Sequence, residues 1–138
     1  MGSAGQPSFR IVVGTHADSP LELEFEDLLG RAYAAIGDEL AARAAFGSAL
    51  RRGGDPERRA ALRLALAQSL RRSGEEREAA AEYLEIFERH PLTPEDAAAV
   101  AALDELEPKL GRVRDALALR RRGDMLYEER RNEEALAA

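Results

Sequence analysis

The stretch LGRAYAAIGDELAARAAFGSAL, residues 29–50, contains the pattern that decides the fold. Gly37 divides it into two segments in which apolar and small residues recur at helical spacing. Asp38, directly after that glycine, is suited to cap a second helix. A similar pattern returns 37 residues later in LAQSLRRSGEEREAAAEYLEIFERHP, residues 66–91. The predicted unit of the fold is therefore a repeated pair of helices joined by a glycine turn.

The same start signal precedes three of the predicted helices. Proline stands at the first helical position after Ser19, Asp55 and Thr93, which are all good N-cap residues. Helices are predicted at about 19–36, 38–52, 55–73, 76–89, 93–106 and 109–130. Pro108 is expected to end the fifth helix, and Asn132 is expected to begin another that stops at residue 138.

Apolar residues at helical spacing are predicted to face the core. In the first two helices they are Leu21, Phe25, Leu28, Leu29, Ala32, Tyr33 and Ile36, then Leu40, Ala44, Phe46, Ala49 and Leu50. In the next three they are Leu62, Leu66, Ala67 and Leu70, then Ala79, Tyr83, Ile86 and Phe87, then Val100, Leu103 and Leu106. The last helix carries Leu110, Val113, Leu117, Leu119, Leu126 and Tyr127.

The composition favours an all-α protein, because Ala, Leu, Arg and Glu are strong helix formers. The 138 residues include 27 Ala, 19 Leu and 19 Arg but only one Lys, which is typical of a GC-rich genome and predicts a bacterial source. A net charge of -6, with no basic stretch free of acidic neighbours, argues against nucleic-acid binding. No apolar run approaches the ~18 residues of a membrane span. The absence of Cys excludes disulfides and thiol chemistry and leaves the compartment open between cytoplasm and periplasm.

Residues 1–18 differ in composition from the rest and are predicted to be a flexible or docked arm. They are rich in Gly, Ser and Pro around one apolar run, FRIVV at residues 9–13, and the initial Met-Gly-Ser is typical of an expression remnant. A docked or flexible arm is favoured over a lone strand, which is unstable. Residues 19–138 are predicted to form one helical repeat domain whose last repeat is truncated.

The repeated residues resemble the tetratricopeptide repeat family. They are Leu29, Gly30, Tyr33, Gly37, Ala42, Phe46 and Ala49, then Leu66, Ala67, Leu70, Gly74, Ala79, Tyr83, Ile86 and Pro91, with a partial third copy at Gly123, Leu126 and Ala135. The resemblance implies a short right-handed solenoid of stacked antiparallel hairpins, with about six helices. It also implies close helix crossings at Gly30, Ala67 and Gly123. Residues 93–115 depart from the pattern, so the stack is expected to be irregular there.

A repeat solenoid of this family binds a peptide or helix of a partner protein on its concave face, formed by the first helix of each pair. The candidate partner-binding residues are Glu24, Asp27, Arg31, Leu64, Gln68, Arg71, Arg72, Arg120, Asp124 and Tyr127. Family members that grip the C-terminal carboxylate of chaperones use Lys, Asn and Arg on this face. That clamp is not reproduced here, so a mixed-charge ligand is expected.

A second resemblance points to a different class. The runs AEYLEIFERHPLTPE at 81–95, RRRGD at 120–124 and NEEAL at 132–136 resemble the helical scaffold of bacterial soluble lytic transglycosylases and periplasmic repeat lipoproteins. The alternative function is therefore an accessory region that positions a catalytic domain absent from this chain.

No pattern in the sequence predicts catalysis, a metal or a cofactor. His16 and His90 are 74 positions apart, and phosphate loops, GxSxG and HExxH are missing. The Arg clusters at 51–52, 58–59, 71–72 and 120–122 are interpreted mainly as helix-end and surface charges, with acidic partners as the alternative. Residues 135–138 form only part of a helix, which predicts either a fragment or a homo-oligomer formed through the uncapped C-terminal helices.

Overall fold

The computed structural model describes residues 20–137, which form six α-helices and no strand. The helices are α1 Pro20–Ala35, α2 Glu39–Arg52, α3 Pro56–Arg72, α4 Glu76–Arg89, α5 Pro94–Leu110 and α6 Ala116–Ala137. The predicted all-α stack of helical hairpins is confirmed. The predictions for the arm at residues 1–18 lie outside the described residues.

Short polar side chains begin three of the helices as predicted. The Asp38 carboxylate accepts a hydrogen bond from the backbone N–H of Ala41 at 3.2 Å, and the Asp55 carboxylate accepts one from Arg58 at 2.8 Å. The Thr93 hydroxyl accepts one from the backbone N–H of Asp96 at 3.2 Å. Each bond satisfies an N–H group that has no partner inside its own helix, so the helix starts are fixed locally.

Three glycines at intervals of 37 residues end the first helix of successive pairs. Gly37, Gly74 and Gly111 have φ values of 84°, 83° and 95°, a left-handed conformation that favours glycine. The third of them follows α5. Helix α5 is therefore the first helix of the third pair. The sequence pattern had instead placed the third copy of the repeat at Gly123.

Each helix packs mainly on its neighbours in the chain from α1 to α5. In addition, α3 contacts α1 and α5 contacts α3, so the first helices of successive pairs lie side by side. Glu39 at the start of α2 pairs with Arg72 at the end of α3, at 2.7 Å. The residues 37 positions later, Glu76 and Lys109, form the equivalent pair between α4 and α5 at 3.1 Å. The same interhelix geometry thus recurs along the stack.

The described part of the chain has a core made of two clusters of buried side chains. The first cluster lies between α1, α2 and α3 and contains Phe46 and Leu62. The second lies between α3, α4, α5 and the start of α6 and contains Ile86, Leu103 and Leu106. Ala42, Ala49, Ala67, Ala79 and Ala99 are fully buried. Small residues at these positions let the helix axes approach closely, as the repeat pattern predicted for Ala67.

The stack becomes irregular at residues 111–115, inside the range where irregularity was expected. The Glu107 carboxylate accepts hydrogen bonds from the backbone N–H groups of Val113 and Arg114, at 2.9 and 2.8 Å. After this bend α6 packs on α4. Ala118 is the only buried residue of α6 within its described length. Among residues 20–137, no helix combines the length and apolar character needed to cross a bilayer.

Three predicted helix boundaries are wrong. Helix α6 begins at Ala116 rather than near residue 109, because the bend at residues 111–115 separates it from α5. Pro108 lies inside α5, which continues to Leu110, because a proline near a helix C-terminus removes only one intrahelical bond and buried Leu106 holds the preceding turn in the core. Helix α6 continues through Asn132, because no glycine or proline interrupts it there and Asn costs only a few tenths of a kcal/mol in a helix.

Several residues predicted to face the core are exposed. In the first two helices these are Leu21, Phe25, Leu28, Ala32, Ile36, Leu40 and Ala44, and in α6 they are Leu117, Leu119 and Tyr127. In α1 a different stripe faces the core, with Asp27 and Gly30 buried and Leu23, Tyr33 and Ala34 packed against the first cluster. Gly123 is also open, since a Cβ there would meet nothing within 4 Å in the described part of the chain.

Candidate partner-binding groove

Helices α1, α3 and α5 line a groove along one face of the stack. It consists of two adjoining open cavities of about 700 and 470 Å³. The larger is lined by Leu64, Gln68, Arg71, Arg72, Tyr83, Ala98, Ala101, Ala102 and Glu105. The smaller is lined by Arg31, Ala34, Ala35, Phe46, Ala65, Gln68 and Arg72. Because Gln68 and Arg72 belong to both cavities, the two form one continuous surface, here called the groove.

Small and apolar side chains make up much of the groove. Alanines on all three helices keep it wide, and buried Tyr83 and Phe46 close its base. A surface made of Cβ methyl groups lets the backbone of a ligand approach closely without displacing long side chains. This geometry suits an extended peptide or one face of a helix.

The cationic side chains of the groove are paired with carboxylates. The Arg71 guanidinium donates to Glu105 across the gap between α3 and α5, at 2.7 Å. Arg72 donates twice to Glu39, at 2.7 and 3.2 Å. Arg31 donates to Asp27 one turn earlier in α1, at 2.8 Å. The groove therefore presents alternating charges of both signs rather than a basic patch.

These pairs keep the charges of the groove fixed near neutral pH. The hydrogen bond from Arg72, aided by the Ser69 hydroxyl, lowers the pKa of Glu39. The hydrogen bond to Glu105 raises the pKa of Arg71, and burial raises the pKa of Tyr83 although the Arg71 charge opposes it. All three shifts move titration further from pH 7. The resulting site is suited to recognising a ligand by fixed charge and shape.

Gln68 lies exposed where the two cavities meet. Its side-chain amide offers both hydrogen-bond donors and an acceptor. A side chain of this kind, between the Arg31 and Arg71 ends of the groove, is well placed to bond the main chain of an extended ligand.

The structure brings five of the predicted partner-binding residues together in the groove. They are Arg31, Leu64, Gln68, Arg71 and Arg72. Asp27 lies beside them but is 8% exposed and accepts hydrogen bonds from both Arg31 and Arg58, so it positions these arginines. Glu24 lines a separate cleft of about 270 Å³ with Arg52 and Arg58.

The other predicted residues lie on α6, which contributes nothing to the lining of the groove. Asp124 lines a cleft of about 250 Å³ with Glu88, Arg89, Arg121 and Met125, while Arg120 and Tyr127 are exposed. Four further lining residues, all on α5, were not predicted from the sequence: Ala98, Ala101, Ala102 and Glu105. The available signal was the 37-residue spacing of Gly74 and Gly111, which marks α5 as a first helix.

Several arginines of the clusters pair with carboxylates of other helices, whereas their main interpretation treated them as helix-end and surface charges. Arg52 pairs with Glu26, and Arg58 pairs with Asp27 at 3.1 Å. Arg122 makes a bidentate pair with Asp96 at 2.6 and 2.8 Å and donates to the carbonyl oxygen of Phe87 at 3.0 Å. These arginines join successive helices, so a partner has limited access to their charge.

Among residues 20–137, His, Asp and Glu form no cluster of three or more that is arranged to hold a metal ion. His90 is the C-cap residue of α4, and its backbone N–H donates to the carbonyl of Ile86 at 2.8 Å. Burial, together with the charges of Arg63 and Arg59, lowers the pKa of its imidazole.

Comparison with known proteins adds no relative to this description. No protein-family model matches the chain, and neither the curated proteins nor the solved structures give a significant match.

Proposed function

We propose that this chain is a noncatalytic, tetratricopeptide-like scaffold that binds a mixed-charge peptide or helix of a partner protein in the groove. The observation that carries the proposal is the continuous surface that α1, α3 and α5 form around Gln68 and Arg72. It is long enough to cross three helices, and small side chains keep it open.

The paired charges indicate the chemistry of the ligand. Arg71 and Glu105 neutralise each other across the groove, as do Arg72 and Glu39 at its edge. A strongly acidic ligand would have to compete with both carboxylates for the arginines. A ligand that carries acidic and basic groups in alternation pairs with both without leaving a charge unmatched.

Selection from a random peptide library displayed on phage, with the wild-type chain as bait, tests this function. Peptides that bind in the groove should lose at least about tenfold in affinity towards Ala101→Trp, which fills the larger cavity, since tenfold is only ~1.4 kcal/mol. The matched control is Ala81→Trp, an equal change at an exposed position of α4 that lines neither cavity. Peptides that bind both variants equally, or a selection that yields no binder, would refute the proposal.

A further inference from the structure

One position of the repeat carries a different charge on each of the three helices that line the groove. Arg31 on α1, Gln68 on α3 and Glu105 on α5 follow one another at intervals of 37 residues, and each lines the groove. The side chain at this position is therefore cationic, then neutral, then anionic as the groove is crossed from α1 to α5. The two ends of the groove thus differ in charge.

The smaller cavity, at the α1 end, presents cationic side chains to a ligand. Arg31 and Arg72 are the only charged residues that line it in the described part of the chain. Their side chains are 51% and 49% exposed, whereas the carboxylates that pair with them, Asp27 and Glu39, are 11% and 18% exposed. A ligand that enters this cavity meets the guanidinium groups before it meets their partners.

Both arginines have further N–H groups for a ligand. Arg31 donates to Asp27 through Nε, and Arg72 donates to Glu39 through Nε and Nη2. A guanidinium carries five N–H groups, and these bonds use one or two of them. The remaining N–H groups suit a carboxylate, which accepts charge-assisted hydrogen bonds from arginine.

The larger cavity has the opposite arrangement at its α5 end. Glu105 pairs with Arg71 at 2.7 Å, but here the carboxylate side chain is 67% exposed and the arginine side chain 30%. The other α5 residues that line this cavity are Ala98, Ala101 and Ala102, whose short side chains leave the carboxylate accessible from the groove. A basic side chain that reaches α5 therefore meets a carboxylate first.

The distance between the two ends sets the spacing of the charges in a ligand. Axes of packed helices lie about 8–10 Å apart, which puts the cationic cavity ~15–20 Å from α5. An extended peptide covers this distance with about five or six residues, and a helix covers it with about ten to thirteen.

We propose that the groove binds its ligand in one charge order, with an acidic side chain between Arg31 and Arg72 and a basic side chain beside Glu105. The inference rests on the proposed function, because it concerns the same groove and a peptide or helix as its ligand. It adds the order of the charges along that ligand. The reverse order would bring like charges together at both ends of the groove, which lowers affinity.

Double-mutant cycles with synthetic peptides test the charge order. The probes are peptides from the phage selection that lose affinity towards Ala101→Trp but not towards Ala81→Trp, and that therefore bind in the groove. Each acidic and each basic residue of the peptide is replaced by Gln in turn. Fluorescence anisotropy then measures the binding of every peptide to wild type, Arg31→Gln and Glu105→Gln. Arg51→Gln is the matched control, since Arg51 is exposed and lines neither cavity.

We expect replacement of one acidic residue and Arg31→Gln to be coupled about three- to tenfold, because both changes remove the same ion pair. Replacement of one basic residue and Glu105→Gln should be coupled to a similar extent. The crossed combinations, and every combination with Arg51→Gln, should be additive to within about twofold.

Two different failures can be told apart. If either expected coupling is absent from peptides that bind in the groove, or if a crossed combination is the more strongly coupled one, the charge order is wrong although the proposed function stands. A selection that yields no groove-binding peptide would refute the proposed function and this inference with it.

Discussion

At the scale of single residues, Gly30 marks the closest approach inside the first hairpin. A Cβ at this position would lie 2.6 and 2.7 Å from ring atoms of Phe46, whose side chain is 1% exposed and cannot move away. We expect Gly30→Ala to lower the free energy of unfolding by about 1–2 kcal/mol, because overpacking outweighs the ~1 kcal/mol gain in helix propensity. Urea denaturation followed by circular dichroism measures the change.

Gly47 and Gly123 are matched controls for that substitution. Among residues 20–137, a Cβ at Gly47 would have its nearest neighbour at 3.6 Å, and one at Gly123 would have none within 4 Å. Alanine at either position should raise the free energy of unfolding by about 0.5–1 kcal/mol, since it only reduces the freedom of the unfolded chain. A similar loss at all three glycines would contradict the steric explanation.

Glu107 makes the stability of the α5–α6 bend depend on pH. The Arg114 guanidinium, together with the N–H groups of Arg114 and Val113, lowers the pKa of this carboxyl from 4.5 to about 2. A pKa lowered by folding means that the stabilisation is complete above about pH 4.5 and is lost as the pH falls towards 2. We expect Glu107→Gln to cost ~1–2 kcal/mol at pH 7 and progressively less below pH 4.5.

Urea denaturation of wild type and Glu107→Gln between pH 7 and 2.5 checks this expectation. The other groups titrate in both chains, so their contributions cancel in the difference between the two free energies of unfolding. Arg114→Met should cost less in the Glu107→Gln chain than in the wild type, since the shared bond is already absent. A difference between wild type and Glu107→Gln that stays constant down to pH 2.5 would show that the carboxylate contributes little.

At the scale of elements, Arg122 connects α6 to both α4 and α5. Its guanidinium bonds both carboxylate oxygens of Asp96 and lies 4.3 Å from the ring centroid of Phe87. We expect Arg122→Met to loosen α6 at a cost of about 2–3 kcal/mol, because it leaves the largely buried Asp96 without its partner. Hydrogen exchange should accelerate in residues 116–126 while α1 to α3 keep their protection.

The adjacent Arg121 is the control for Arg122. It pairs with Glu88 at 3.4 Å but is itself 57% exposed. Glu88 is buried, but its single 3.4 Å contact with a largely exposed arginine is weaker than the bidentate Arg122 pair, so Arg121→Met should accelerate exchange less than Arg122→Met. Equal effects of the two substitutions would mean that α6 docks through its apolar residues instead.

The helix starts were predictable from sequence because they depend on local chemistry. Asp38, Asp55 and Thr93 are recognisable as caps from the residues that follow them. The burial of α1 was not predictable in the same way. Helical spacing shows which residues share a face, but α1 has two apolar stripes, and only the packing of Gly30 against Phe46 decides which one faces the core.

At the scale of the whole molecule, the 37-residue interval governs both the fold and the groove. Two copies of the motif located Arg31, Gln68 and Arg72 correctly on neighbouring first helices. The third copy was misplaced because α5 keeps Leu103 at the first motif position but carries Asp104 and Glu107 where the first two copies have a small and a large residue, so its pattern is weak. The turn glycine Gly111 keeps the interval even where the helix sequence does not.

The last half of α6 adds little to the stability of the molecule. No residue from 127 to 137 is buried. Arg131 pairs with Glu128 and lies over the ring of Tyr127, and both contacts are within the same stretch of helix. Helix segments without packing are marginal in water. We therefore expect removal of residues 128–138 to shift the melting temperature by less than about 2 °C, whereas removal of 112–138 should lower it by about 10 °C or more.

The second truncation is the sharper comparison because it also removes Ala118, which belongs to the second core cluster, and Arg122, which lies over the Phe87 ring and pairs with Asp96. Differential scanning calorimetry at two protein concentrations measures both effects. If the shorter truncation lowers the melting temperature by more than about 5 °C, and the loss depends on concentration, then residues 128–138 pack against a second copy. That result would support the homo-oligomer predicted from the uncapped C-terminal helices. A concentration-independent loss of that size would instead mean that this segment stabilises its own chain.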